Sequence, residues 1–355
     1  MIVPGNDNAA RLTWLARHRL GTVAGFLAQR GDLPQDLATL AEQLTERQRR
    51  DMRLQEAEDR RVVSSLVSSG ADVLVLKGAL LAQTVYPAPE RRFRTDLDLL
   101  VDVESVPVIE KLLGELGYKR PRAVQTAMPV RQSQWTFSSG GRIFSVDLHW
   151  DLRNHPALQG RFEFAELIES SQLLPSLDDQ ALGMGPAHAL LNASMHFFND
   201  YAEERPQQWL LDKDLLWRAM TADEQAQAMN LACQRGLAGL LAESLVRARE
   251  VFGAPVSDSQ IDRLRSTGSG QWRTGLVEAN KKRSSAYWFA LRSEPGIRRR
   301  YRPNSPKRDQ LQNGLCMIAP LAQRCVSNSY FRPGAASASA CLLSYLKLSL
   351  LDSLE

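Results

Sequence analysis

The stretch "VLVLKGALLAQTVYPAPERRFRTDLDLLV", Val73–Val101, decides how this chain is read. Val73–Leu76 is apolar and partly β-branched, and the run stops at Gly78, which predicts a short buried strand. "ALLAQTVY" predicts a short helix, and "PAPERRFR" a loop forced by Pro87 and Pro89. "TDLDLLVD" is a second strand, and it carries Asp96 and Asp98 among its leucines. Carboxylates inside a buried strand are costly unless something pairs with them.

On a strand, residues i and i+2 share a side, so Asp96 and Asp98 project together while Leu97 and Leu99 point into the core. Two carboxylates held that close repel, and one takes up a proton unless a cation bridges them. Such a pair suits a hard, oxygen-loving ion such as Mg²⁺. "FSVDLHW" supplies a third acid, Asp147, in an apolar strand whose Val146 and Leu148 point the other way. Three inward aspartates on adjacent strands could hold two Mg²⁺ ions, an arrangement that serves in-line phosphoryl or nucleotidyl transfer. "LKGA" fits the same chemistry. Where a strand ends and a helix opens, backbone N–H groups and the positive helix end favour an anionic phosphate. Lys77, and the run Arg91-Arg92-Phe93-Arg94 ahead of Asp96, offer cations for phosphate. His149, Trp150 and His155 read as core or supporting residues, with a metal cluster as the alternative. A lone Lys-Gly is a generic turn, and an Asp-x-Asp at a strand end is often only a surface loop. Their order, glycine turn, basic loop, Asp-x-Asp strand and then a third Asp in a later apolar strand, is one that few unrelated folds reproduce.

Upstream, Ala9 to Ser69 places apolar residues at steps of three and four, which predicts helices, with a turn and a helix start in "GDLPQDL". Downstream, "SVPVIEKLLGELGY" predicts an amphipathic helix that Ser105 can cap and Gly117 ends. "RQSQWTFSSGGRIFSVDLHWDL" predicts a hairpin with its turn at Ser138–Gly141. From Pro156 the pattern returns to helix in "PAHALLNASMHFFND", "QQWLLDKDLLWRAM", "ADEQAQAMNLACQRG" and "LAGLLAESLVRAREVFG". After about Pro295, prolines and a low-complexity "RPGAASASA" break the regularity. The predicted organisation is an N-terminal helical segment (1–69), a mixed α/β core (70–155), a helical domain (156–294) and an irregular, basic-to-apolar tail (295–355).

With 44% apolar and 24% charged residues, the composition is that of an ordinary globular protein. The net charge of +4 is too small to name a partner, yet between Lys281 and Arg308 ten basic residues stand against one acid, Glu294. Such a run is a solvated face or a polyanion-binding surface. The four cysteines are scattered without a C-x-x-C pair, so neither a zinc knuckle nor a disulfide framework is readable, which fits a reducing cytoplasm. The N-terminus has no basic start followed by an apolar run, so no secretory signal is expected. No stretch approaches the roughly 20 apolar residues of a membrane span, so a cytoplasmic protein is expected.

Taken together, these residues resemble the DNA polymerase β-like nucleotidyltransferase superfamily, and within it the bacterial branch labelled uncharacterised nucleotidyltransferase. The likeness rests on Leu76-Lys77-Gly78-Ala79, Tyr86-Pro87, Arg92, Asp96-Leu97-Asp98-Leu99-Leu100-Val101, Gly117-Tyr118 and Val146-Asp147-Leu148-His149-Trp150. It covers roughly Val73 to Leu152, and "QWLLDKDLL" extends it weakly by putting Trp209 and Asp212 at matching positions. The resemblance implies an α+β fold: a small twisted mixed β-sheet flanked by N-terminal helices and a helical C-terminal domain. It implies that Asp96 and Asp98 bind two Mg²⁺ or Mn²⁺ ions, and that Asp147 completes the metal site and helps deprotonate an acceptor hydroxyl. It further implies that Gly78 and Ala79 approach the phosphates of a nucleoside triphosphate, with Arg92 as the foremost side-chain contact and Lys77 and Arg94 nearby. The implied reaction moves an NMP from an NTP to a hydroxyl of a protein, an RNA or a small molecule, releasing pyrophosphate. His196 and Asp212 would help shape the acceptor pocket, and the basic stretch 281–308 tilts the acceptor towards RNA. Three departures bear on nucleotide and acceptor choice: Gly78-Ala79 replaces a glycine pair or Gly-Ser, the gap to Asp96 is long, and Arg94 stands where toxin-like relatives carry a small polar residue. The competing readings are a non-catalytic nucleotide- or partner-binding protein of the same fold and a helical scaffold in which "DLDLLV" is an ordinary edge strand. The presence of all three aspartates argues against the first.

Overall fold

The computed structural model describes residues 19–21, 24, 35–120, 131–153, 158–199 and 207–267. By its internal contacts the chain divides into two units, 1–196 with 206–287 and 197–205 with 288–355. Apart from the end of one helix, the described elements lie in the first unit. Four segments carry its sheet core: β1 (Leu74–Leu76), β2 (Leu97–Leu100), β3 (Gln132–Ser139) and β4 (Arg142–His149). Two short strands, β5 (Gln172–Leu173) and β6 (Leu182–Gly183), complete a six-stranded sheet in the order β3-β4-β2-β1-β6-β5.

The sheet is mixed. β1 runs antiparallel to β2 and parallel to β6, β2 runs parallel to β4, and β3-β4 and β5-β6 are antiparallel pairs. Leu74, Val75, Leu76, Leu97, Leu99, Val146 and Leu148 are buried through its centre. The sheet therefore reaches past residue 155, the expected edge of the α/β core, into the region read as purely helical.

Helix α1 (Gln35–Ser68) follows the three-and-four rhythm read from the sequence. Its buried positions Thr45, Gln48, Met52, Gln55, Asp59, Val62 and Leu66 keep that rhythm, but the middle of the stripe is polar. Helix α2 (Lys77–Thr84) follows β1 directly, and a 3₁₀ turn at Pro89–Arg91 occupies the proline-rich loop. Helix α3 (Val106–Glu115) buries Ile109 and Leu113. Ser105 makes no side-chain cap there. A 3₁₀ turn at Val103–Ser105 leads straight into the helix, and Asp102 caps that turn by accepting from the Glu104 N–H. In the hairpin, Ser139 pairs with Arg142, leaving Gly140 and Gly141 as a two-residue turn with φ of 57° and 74°. That sign at both positions is the primed turn that glycine permits.

The C-terminal helices are α4 (Phe164–Glu169), α5 (Pro186–Asn199), α6 (Gln208–Ala219), α7 (Ala222–Gln234), α8 (Ala238–Phe252) and α9 (Asp258–Thr267). Thr221 and Glu224 form a reciprocal capping box at the start of α7. No helix among the described residues is long and apolar enough to cross a membrane. The tail from 295 and the basic stretch 281–308 lie outside the described residues.

Candidate active site

Parallel pairing sets Asp98 of β2 level with Asp147 of β4, so both carboxylates stand on one face of the sheet. His149, two residues beyond Asp147, shares that face. One ligand atom from each of Asp98, Asp147 and His149 lies within 4.8 Å of the other two. Asp96 precedes β2 by one residue and stands outside this tight cluster, yet its charge still acts on Asp147. The structure thus brings Asp98 and Asp147 together, with Asp96 beside them and His149 as an additional member.

Antiparallel pairing places Leu76 opposite Asp98, so the next residue, Lys77, leaves the sheet at the acids. Lys77 has φ of 47°, a left-handed backbone that costs a non-glycine residue about 1–2 kcal/mol. Its Nζ donates to Asp98 Oδ1 at 2.5 Å, and His149 Nε2 lies 2.9 Å from the same oxygen.

The charges of the site are unequal. Burial alone would raise the Asp98 pKa, but the Lys77 ammonium and the His149 hydrogen bond outweigh it and hold the carboxyl well below its usual range. Asp147 is pushed up to about 7, first by burial and then by the charges of Asp98 and Asp96. Its Oδ1 is buried without a hydrogen-bond partner. Asp96 is also raised, by burial and then by Asp98. His149 is lowered to about 4, by burial and then by Lys77, so near neutral pH it is an uncharged donor to Asp98. An orphaned buried carboxylate oxygen and two raised carboxyl groups mark a site short of positive charge. Its oxygen-rich donor set fits Mg²⁺ or Mn²⁺.

The arginines expected on phosphate are engaged elsewhere. Arg92 is buried and forms a two-pronged pair with Asp212, Nε to Oδ1 and Nη2 to Oδ2, each at 2.7 Å. Tyr86 donates its hydroxyl to the same Asp212 at 2.8 Å. Arg94 is 1% exposed and donates through Nε to Asp59 of α1 at 2.9 Å, while Gln55 donates to the other oxygen of that carboxylate. A β-carbon placed on Gly78 would stand 3.1 Å from Arg94 Cβ, so the glycine makes room for the arginine stem. His196 is half-buried, edge-on against Trp209 with ring centroids 4.4 Å apart, and desolvation followed by the Arg153 charge holds its pKa well down. Of the two residues expected to shape an acceptor pocket, Asp212 is thus buried in an ion pair, while His196 is half-buried against Trp209. A cavity of about 310 Å³ opens between α1 and the start of β4, lined by residues including Gln55, Arg94, Thr95 and Arg142.

Residues 4–253 match the protein family described as uncharacterised nucleotidyltransferase. The chain belongs to that family. The family match spans α1 through α8, so the acid cluster and the Arg92–Asp212 pair both fall within it. No curated protein matches the chain. Among solved structures, the crystal structure of JHP933 from Helicobacter pylori is similar at 10% identity and a TM-score of 0.29, over 68% of this chain and 97% of that one. Within this nucleotidyltransferase-family chain, the sequence reading missed Asp59 as the partner of Arg94, because a buried acid in a helical stripe looks like any solvated one. It named His149 without finding its partner Asp98. His155 lies outside the described residues.

Proposed function

We propose that this chain is a divalent-metal-dependent nucleotidyltransferase that moves an NMP from an NTP to a hydroxyl acceptor and releases pyrophosphate. The observation that carries the reading is the level pairing of Asp98 and Asp147, with an orphaned buried oxygen on Asp147, in a chain of this family. Asp98 and Asp147 would hold the metal ion, with Asp96 beside them. When bound, the ion supplies the positive charge that orients the triphosphate and stabilises the charge developing on it. The chain's own groups do the rest. Asp147 would also help take the acceptor's hydroxyl proton as that oxygen attacks the α-phosphorus and the bond to the pyrophosphate oxygen breaks. Helix α2 starts with no side-chain cap, so the N–H groups of its first turn, at Gly78 and Ala79, are left to approach phosphate oxygens. Arg92 and Arg94 act through the framework instead, holding the loop that delivers Asp96.

The test is incubation of the full chain with each of four α-labelled NTPs and a lysate, in Mg²⁺ or Mn²⁺. Pyrophosphate release that depends on the ion, with label moving to protein, RNA or a small molecule, is the expected result, and the labelled product names the acceptor. Unchanged release in both Asp98→Asn and Asp147→Asn would sink the assignment.

A further inference from the structure

Asp98 Oδ1 is already occupied. Lys77 Nζ and His149 Nε2 both lie on it, at 2.5 and 2.9 Å, with side-chain exposures of 17% for Lys77 and 5% for Asp98. A carboxylate oxygen has two lone pairs, and these two donors use both. Only Oδ2 of Asp98 is left for an ion. Ions about 3.5–4 Å apart are served by a carboxylate that gives one oxygen to each, and Asp98, level with Asp147 and two residues from Asp96, is the central acid of the cluster and has one to give. The Lys77 backbone singles out the same residue independently. A lysine held at φ of 47° occupies a conformation that residues other than glycine keep only where the surroundings enforce it, and such outliers gather at working sites. Asp147 Oδ1, by contrast, has no partner and is free to ligate.

We propose that the acid site takes one divalent ion rather than two, through Asp147 and the remaining oxygen of Asp98, and that the Lys77 ammonium stands in for the second ion. This rests on the nucleotidyltransferase reading and narrows it: the triphosphate meets one exchangeable cation and one that is built into the chain. His149 then has a defined task, holding Asp98 so that its other oxygen is the one presented.

The experiment counts Mn²⁺ bound per non-hydrolysable NTP analogue by electron paramagnetic resonance, with the full chain in excess over the analogue. The wild type is expected to hold one ion per bound analogue, with no spin-coupled pair. Lys77→Met and Lys77→Gly are expected to hold two, since each frees a lone pair on Asp98. The glycine variant also suits the left-handed backbone, so it guards against a loss of folding. Two ions in the wild type, or a single ion in both variants, would overturn the inference and leave the proposed reaction standing. No ion in any of the three proteins would overturn the proposed reaction and this inference together.

Discussion

Replacing Asp147 with asparagine should stabilise the metal-free protein in alkaline solution while abolishing its response to divalent ions. In the folded chain the Asp147 carboxyl sits near 7, against 3.8 when unconstrained. At about 1.4 kcal/mol per pKa unit, holding it ionised costs the folded state about 4 kcal/mol at most, and solvent relaxation around a part-exposed group brings this to roughly 2–3. The folded state binds this proton more tightly than the unfolded chain, so the group does no harm below pH 3.8. Its penalty grows as pH rises through the window up to 7 and is constant above it. Urea denaturation in EDTA should therefore find Asp147→Asn more stable than the wild type by about 2–3 kcal/mol at alkaline pH, with the gap closing under acid conditions. Adding Mg²⁺ or Mn²⁺ at about a hundred times its dissociation constant should raise the wild type by about 2.7 kcal/mol and leave the variant unmoved. The reasoning is refuted if the variant is the less stable protein at alkaline pH in EDTA, or if both proteins gain equally from the ion.

Two further substitutions probe the framework around the acids. Asp212→Ala strands a buried guanidinium and a buried phenol, so urea denaturation should register a loss of about 3–5 kcal/mol; a loss below about 1 would mean that the Arg92 pair is not holding the fold. Gly78→Ala separates two explanations of that glycine by sign. Contact with Arg94 Cβ at 3.1 Å predicts a destabilisation of about 1–3 kcal/mol, whereas a glycine kept only for phosphate access would give a gain of about 0.5–1 from helix propensity.

Local periodicity made much of this legible in advance. Asp96 and Asp98 announced themselves because a two-residue repeat cannot hide charges in a leucine strand, and the hairpin because Gly140 and Gly141 interrupt two alternating runs. The level pairing of Asp98 with Asp147 was out of reach, since nothing local says which strands become neighbours or in what register. β5 and β6 pair over two residues each, too short to show any period. The partners of the arginines were hidden for a physical reason. A basic run ahead of an acid pair suggests phosphate only while the partners are unknown, and those partners lie far off in sequence, Asp59 on α1 and Asp212 on α6. The candidate residues could thus be picked out by their chemistry, whereas the groups that fix their positions were visible only in three dimensions.

That division explains why the family-like motif between Tyr86 and Asp98 is so dense in charge. Asp96 comes before the first ladder residue of β2, so backbone pairing does not hold it. What flanks it is anchored instead: Arg92 to α6 through Asp212, and Arg94 to α1 through Asp59, both buried. Each pair is a poor source of net stability compared with an apolar contact of equal size, because two charges had to leave water. A bidentate or buried guanidinium does, however, fix direction, and a metal-binding carboxylate depends on direction within fractions of an ångström. The loop is therefore held from two helices at once, which leaves Asp96 little freedom to turn from Asp98 and Asp147. Weakening either anchor should loosen ion binding along with the fold, whereas Asp147→Asn should separate the two. That contrast would tell a carboxylate that ligates an ion from arginines that hold the loop in place.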